Sequence, residues 1–293
     1  MPQTLVLLNA SAGTLNDVGA DRIREALTGL GKGEQIDIRL IAPKRLSREI
    51  AEAARSDFAT VIVGGGDGSA NCAATHFANT DKVLGILPFG TVNLLARDLG
   101  MPSKIEDAIA ALRRAEPRRI DLATVNGRIF HSVSGLGFFS QMARAREETR
   151  GHVLGRMISV GVAAMRALRR TGRFSLDLSI DGKTETVDAL AALVTSSRFG
   201  ADWRRPRLDD GLLEVHIAED AGTLGRLKAS TDLLTGGWRD NPGIRSVQAR
   251  AVTIDRGRHR AWVATDGELT RERMPLRYSV IPRALTVLCV PGD

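Results

Sequence analysis

The sequence predicts an α/β domain built on a parallel sheet, followed by a second domain that is an antiparallel β-sandwich. The chain has 293 residues, and one hydrophobic core usually stops growing below that length, so two domains are expected, with one large barrel as the alternative. Residues 1–122 alternate between strand and helix periodicity, whereas from Ile120 onward short strand-like segments follow one another. We therefore predict domains at 1–122 and 123–293.

The first domain is predicted from the order of its elements. Strands that alternate with helices require crossover connections, and these produce parallel strands with helices packed on the sheet. Apolar runs predict strands at 4–8, 35–42, 59–63 and 83–87, and amphipathic periods predict helices at 17–30, 47–55, 71–77, 92–99 and 104–114.

The second domain is predicted from β-branched segments separated by turn signals. The pairs Asn126-Gly127 and Asp181-Gly182 are typical of two-residue hairpins, and they indicate antiparallel neighbours. The strand-like segments are 120–126, 128–134, 173–181, 184–197, 211–218, 246–256, 260–265 and 276–290. One helix, at about 152–170, interrupts this series.

Composition places the chain among globular proteins, with 43% hydrophobic and 26% charged residues. No apolar run approaches the roughly 18 residues of a membrane helix, and the N-terminus lacks the basic and apolar regions of a signal peptide. Cys72 and Cys289 show no ligand spacing and indicate a reducing compartment. These observations predict a cytoplasmic protein, at most peripheral at the inner face of the membrane.

Positive charge is concentrated in one segment. The formal net charge is +7, and residues 144–173 contain eight arginines against two glutamates. Such a segment suits an anionic membrane surface, a nucleic acid or a phosphorylated substrate, and a solvated helix face is the plainer alternative. Nucleic acid is disfavoured because the chain has only twelve aromatic residues and no stacking motif.

Two glycine-containing loops predict an anion site. Residues 64–69 read GGGDGS, after the apolar strand Val61-Ile62-Val63 and before a helix. Glycine lets the backbone approach a ligand closely, and the unpaired N–H groups of a helix start favour phosphate. Residues 87–97 read LPFGTVNLLAR and form a second strand end. Both strand ends belong to the carboxyl edge of a parallel sheet, where open α/β sheets bind ligands.

These loops are followed by LDDGL at 208–212 and DGE at 266–268, and they are preceded by NASAG at 9–13. In order and spacing the motifs resemble the diacylglycerol kinase catalytic-domain superfamily, the bacterial lipid kinases related to sphingosine and ceramide kinases. The resemblance covers nearly the whole chain. It implies an NAD kinase/diacylglycerol kinase-like fold and an ATP- and Mg²⁺-dependent lipid kinase whose acceptor is a diacylglycerol, ceramide or sphingoid-type alcohol.

The resemblance also implies roles for individual residues. The ATP phosphates would contact Gly65, Gly66, Asp67, Gly68, Ser69, Asn71, Thr91 and Asn93. Asp67 would lie close to the catalytic Mg²⁺, and Glu268 matches the general base. A structural metal would bind the Asp210 carboxylate and the main-chain oxygens of Arg207 and Leu212. The sequence departs from the family pattern at Ala10, at Leu94 and after the second strand, where no threonine stands to contact ATP.

The two acidic motifs also allow purely structural interpretations, and two other functions fit parts of the sequence. Residues 266–268 also fit a hairpin turn with an exposed Glu, and residues 208–212 fit a turn with two solvated acids, although adjacent carboxylates gain from a bound divalent cation. An NAD kinase-like small-molecule kinase shares the GGDG loop, but its Asn-Glu pair does not occur here. A non-catalytic nucleotide or lipid sensor is disfavoured by the presence of Asp67, Asp210 and Glu268.

Overall fold

The computed structural model divides the chain into two compact units. Unit 1 comprises Met1–Leu122 and Pro282–Asp293, and unit 2 comprises Ala123–Ile281. The residues that the structure describes are 4–13, 18–29, 36–148, 172–200, 204–219, 232 and 237–291. Residues 282–293, which the sequence prediction placed in the second domain, belong to unit 1 because the end of the last strand pairs there.

Unit 1 contains a parallel sheet. Its strands are β1 (Thr4–Asn9), β2 (Ile36–Ile41), β3 (Thr60–Gly65) and β4 (Val83–Pro88). They lie in the order β2-β1-β3-β4, with Thr4 opposite both Ile36 and Thr60, and Thr60 opposite Val83. The described helices of this unit are α1 (Ala20–Thr28), α2 (Pro43–Ala53), α3 (Asp67–Phe77), α4 (Leu94–Asp98) and α5 (Ile105–Ala111), with a 3-10 turn at Leu112–Arg114.

Burial in unit 1 follows from its apolar strands. Leu5, Val6, Leu7 and Leu8 are all buried, as expected for a parallel strand that is covered on both faces. Helix α1 adds Ile23 and Leu27, which lie one turn apart on its buried face. The sheet therefore fixes the carboxyl ends of β3 and β4, where the two glycine-containing loops begin.

Unit 2 is an antiparallel arrangement. Its strands are β5 (Glu116–Val125, which begins in unit 1), β6 (Arg128–Phe130), β7 (Val133–Gly137), β8 (Phe174–Ile180), β9 (Lys183–Thr195), β10 (Leu213–Glu219), β11 (Ile244–Ala249), β12 (Ala251–Asp255), β13 (Arg260–Thr265), β14 (Glu268–Arg273) and β15 (Leu276–Cys289, which ends in unit 1). The path β14-β13-β7-β9-β8-β12-β15 forms its main sheet, β10 pairs with β9 and β11, and β5 pairs with β6.

Tight turns connect the hairpins of unit 2. Asn126-Gly127, Asp181-Gly182 and Asp266-Gly267 all have positive φ at both residues, which is the backbone that a two-residue type I′ turn requires. The turns predicted at the first two pairs are therefore confirmed, as is the predicted fold class of an α/β part with parallel strands and an antiparallel β-sandwich.

Several predicted elements differ from the structure. The predicted strands 128–134 and 246–256 are each divided in two, and residues 268–273 form an additional strand. Helix α6 (Phe138–Glu148) was not predicted: the sequence prediction assigned no element between the strand at 128–134 and the helix at 152–170. The predicted helix at 152–170 lies outside the described residues. Among the helices that the structure describes, none combines the length and hydropathy needed to cross a bilayer.

Candidate functional site

The first glycine loop joins β3 to α3 through Gly66. Helix α3 begins at Asp67, four residues before the predicted start, so Asp67, Gly68 and Ser69 lie in its first turn. No side chain caps this helix, and the Ser69 N–H donates to the Gly66 carbonyl at 3.0 Å, which leaves the N–H groups of Asp67 and Gly68 without an acceptor within the helix. With the positive end of the helix dipole, these groups favour an anion at this position.

The two loops of unit 1 are joined by the Asp67 carboxylate. Its Oδ2 accepts the N–H of Asn93 at 3.1 Å, and its Oδ1 accepts the N–H of Leu94 at 2.6 Å, so it caps the start of α4. The Phe89 N–H also donates to the Gly65 carbonyl at 3.0 Å. Asp67 therefore positions the second loop against the first, a role that the sequence analysis did not assign to it.

Gly90 and Asn93 shape the second loop. A Cβ on Gly90 would lie 2.5 Å from the Gly66 Cα, so the backbones approach more closely than any other residue permits. The Asn93 Oδ1 accepts the Gly90 N–H at 2.8 Å, and its Nδ2 donates to the Gly90 carbonyl at 2.7 Å. Asn93 adopts left-handed backbone angles, with φ 53°. Thr91 is exposed within this turn.

Asn71 and Ser69 occupy α3 beside this turn. Asn71 is 6% exposed, and its buried Oδ1 has no hydrogen-bond partner among the described residues. Ser69 packs on Gly65, where a Cβ would lie 2.4 Å from the Ser69 Oγ. The structure thus places the eight predicted nucleotide-binding residues in two adjoining loops of one unit. Their glycines and helix start fit an anionic group such as a nucleotide phosphate, whereas the unpartnered Asn71 Oδ1 is an acceptor and suits a hydrogen-bond donor.

The predicted metal site on Arg207, Asp210 and Leu212 is an ion-paired turn. The Arg207 Nε lies 3.0 Å from the Asp210 Oδ1. The main-chain oxygen of Arg207, one of the predicted ligands, accepts a hydrogen bond from the Ser197 hydroxyl at 2.9 Å. Within the described ranges no three His, Cys, Asp or Glu residues form a group that could hold a metal ion. The residues present therefore do not form a ready cation site, since a guanidinium already neutralises the Asp210 carboxylate.

The Asp266-Gly267-Glu268 turn separates its two acids. Asp266 is fully buried as a side chain, and its carboxylate accepts the N–H groups of His131, Ser132 and Val133 at 2.8–3.0 Å. Glu268 begins β14, is half exposed and pairs with Arg128. Glu268 is therefore the solvent-accessible acid of this turn, while Asp266 fixes the turn in place.

Unit 2 contains a second buried acid, Glu214, which no sequence motif indicated. Glu214 on β10 accepts a hydrogen bond from Arg239 at 2.5 Å and lies 3.3 Å from the His216 Nε2. Burial alone would raise the pKa of Glu214, but the contacts with His216 and Arg239 exceed that effect and lower its pKa to about 2. The available signal in the sequence was the alternation of Glu214 and His216 with apolar residues along β10.

Comparisons with known proteins agree with this geometry. The family model of the diacylglycerol kinase catalytic domain matches residues 3–125, and the model of the YegS C-terminal NAD kinase beta sandwich-like domain matches residues 136–289. A protein of Pseudomonas aeruginosa (strain UCBPP-PA14) named "Probable lipid kinase YegS-like" is 32% identical, with 94% of this chain and 92% of the relative covered.

Other relatives extend the comparison. The protein of Bacillus subtilis (strain 168) named "Diacylglycerol kinase" is 28% identical, with 70% of this chain and 69% of the relative covered. A relative from Synechocystis sp. is 25% identical over 78% of this chain, and this match spans 54% of that longer protein. A solved diacylglycerol kinase structure from Bacillus anthracis str. Sterne has a TM-score of 0.74 and 21% identity, with 99% of this chain and 97% of that chain covered, and it shares the fold.

The resemblance inferred from the motifs is thereby confirmed. Two family models together span most of the chain, and a relative above 30% identity spans nearly all of it. The chain belongs to the diacylglycerol kinase catalytic-domain family of lipid kinases.

Proposed function

We propose that this protein transfers the γ-phosphate of ATP to the hydroxyl of a lipid alcohol of the diacylglycerol, ceramide or sphingoid type. The observation that carries the proposal is the pair of loops at 64–71 and 90–94, joined through Asp67 within a kinase-family domain. Phosphoryl transfer requires mainly alignment and charge stabilisation from the protein, and a hydrogen-bonded loop pair beside a helix start supplies both.

The loops of unit 1 would bind the nucleotide through their backbone. The N–H groups of Asp67 and Gly68 at the start of α3 would donate to phosphate oxygens, and the buried Asn71 lies one turn further along the helix. Mg²⁺ would accompany the phosphates as their counter-charge, and Asp67 is its candidate carboxylate in this chain.

Glu268 would accept the proton of the lipid hydroxyl. Its carboxylate is half exposed, and the buried Asp266 holds the turn that presents it. Arg128 pairs with Glu268 and orients it in the absence of substrate. General-base catalysis of this kind commonly contributes about 10²- to 10⁴-fold to the rate. Because the acceptor is a membrane lipid, we also expect peripheral association with an anionic membrane surface.

The proposal is tested by incubating the full chain with labelled ATP, Mg²⁺ and a panel of lipid alcohols in mixed micelles, with NAD as a control acceptor. Labelled lipid without labelled dinucleotide phosphate is expected. Label on NAD alone would favour a small-molecule kinase, and label on no acceptor would contradict the proposed activity.

Glu268→Gln tests the assigned base. We expect turnover to fall by about 10²- to 10⁴-fold at saturating substrate while ATP binding is retained, since only the proton acceptor is removed. Glu185→Gln is the matched control, because Glu185 is also an exposed, arginine-paired glutamate of unit 2 and should leave the rate unchanged. An equal rate in both variants would show that Glu268 is only a turn residue.

A further inference from the structure

The hairpin β13–β14 exposes a basic face at the edge of the sheet. Strand β14 pairs with β13 alone, and the two strands place Arg260 opposite Arg273, and Trp262 opposite Arg271. Directly opposite residues share one face of a sheet, and all four of these side chains are exposed. We call Arg260, Trp262, Arg271 and Arg273 the hairpin patch.

No carboxylate neutralises this patch within the part of the chain that the structure describes. Arg260, Arg271 and Arg273 form no ion pair there, and the neighbouring Glu272 alternates to the opposite face, where it accepts the Thr270 hydroxyl at 3.0 Å. Like charges directly opposite each other on two strands are unfavourable. An anionic surface would relieve the repulsion between Arg260 and Arg273.

Trp262 gives the patch an apolar centre. It is 41% exposed and is the one exposed large hydrophobic side chain among the described residues. Trp combines an apolar ring with a polar N–H and is enriched at membrane interfaces, where long basic side chains reach the headgroups. Arg258, exposed in the turn before β13, extends the positive charge beyond the strands.

We propose that the hairpin patch docks this protein on an anionic phospholipid bilayer. The assignment rests on charge complementarity, on the exposed Trp262 between arginines, and on the proposed function, whose acceptor resides in a membrane. The patch and Glu268 belong to the same hairpin but to opposite faces of it: Glu268 begins β14 on the face of Glu272, and Arg273 ends β14 roughly 17 Å away along the strand. Docking would therefore hold the proposed base at a fixed depth relative to the lipid surface.

Sedimentation with vesicles tests this surface. Wild-type protein is expected to bind phosphatidylcholine vesicles that contain phosphatidylglycerol, to bind pure phosphatidylcholine weakly, and to release at high salt. The double variant Arg271→Glu/Arg273→Glu should weaken binding about tenfold or more at low salt. Arg22→Glu/Arg24→Glu on the exposed face of α1 has the same net charge change and should bind as wild type does.

Trp262 supplies a second measurement that does not depend on charge reversal at the edge strand. Its fluorescence should shift to shorter wavelength with phosphatidylglycerol vesicles, and Trp262→Phe should lose that shift. Equal sedimentation of wild type and both double variants, or a shift that persists in Trp262→Phe, would overturn the proposal. Binding of single-stranded DNA by the same patch with no binding of vesicles would overturn it in favour of a nucleic acid.

Activity separates this proposal from the proposed function. The Arg271→Glu/Arg273→Glu variant should phosphorylate a short-chain, water-soluble lipid as fast as wild type does. If wild type phosphorylates no lipid yet binds vesicles through the patch, the kinase assignment fails and the docking surface stands. If wild type phosphorylates soluble lipid and the patch variants bind vesicles normally, the docking surface fails and the kinase assignment stands.

Discussion

Asp67 in unit 1 and Asp266 in unit 2 are both motif acids, and both accept hydrogen bonds from backbone N–H groups. They differ in depth: Asp67 is half-buried and joins two loops, whereas Asp266 is buried and accepts three amides from one segment. In each motif the polar group left for a ligand is a neighbour, Asn71 or Glu268. A motif acid can therefore stabilise a loop while a nearby residue is the one proposed to meet the ligand.

The depth difference predicts unequal losses of stability. Asp266→Ala leaves three N–H groups without an acceptor and should lower the free energy of unfolding by about 4 kcal/mol, whereas Asp67→Ala should cost about 2 kcal/mol. Urea unfolding followed by circular dichroism measures both. If the two variants lose equal stability, the comparison between a buried and a half-buried acid is wrong.

Substitution of a glycine by alanine should also reduce stability by different amounts in the two motifs. Gly90→Ala would place a Cβ 2.5 Å from the Gly66 Cα. This substitution should lower the free energy of unfolding by about 3 kcal/mol and should also abolish nucleotide binding. Gly267→Ala has open space around its Cβ and should cost only about 1 kcal/mol, from its positive φ. Thermal unfolding and ATP titration of both variants check this, and a mild effect of Gly90→Ala would contradict the close loop contact.

Glu214 extends the comparison to a buried acid whose partners are side chains, those of Arg239 and His216. Its pKa of about 2 lies below the ordinary 4.5, so it stabilises the fold above about pH 4.5, and this contribution is lost as the pH falls toward 2. Glu214→Gln should cost about 2 kcal/mol at neutral pH, with a difference from wild type that shrinks on acidification. Urea unfolding at neutral and acidic pH measures it. A difference that is independent of pH would mean that packing, not charge, is lost.

Asparagine substitutions should separate the two acids by function. Asp67→Asn sets an amide against the Asn93 and Leu94 N–H groups and should weaken ATP binding about tenfold, with a sharp fall in turnover. Asp266→Asn should bind ATP as wild type does, because its hydrogen bonds lie within unit 2. Calorimetric titration with ATP distinguishes them. Near-wild-type activity of Asp67→Asn would remove the nucleotide-site assignment.

Local signals were sufficient for much of the fold. Continuous apolar runs predicted β1, β3 and β4 to within one or two residues, since a strand covered on both faces needs apolar side chains throughout. Asn-Gly and Asp-Gly pairs predicted two hairpin turns, because few residues tolerate positive φ. Helix α6 and the division of β11 from β12 were missed, because packing against neighbouring strands decides them.

By itself the sequence determined the fold class, the family and the two glycine-containing loops, because turn chemistry and hydrophobic period are local properties. Only the tertiary structure decided how the motif acids are used. Asp67 meets amides that lie 26 and 27 positions along the chain, and Asp266 meets amides more than 130 positions away. Hydrogen bonds over such separations depend on how the strands pair, and no periodicity in the sequence records them.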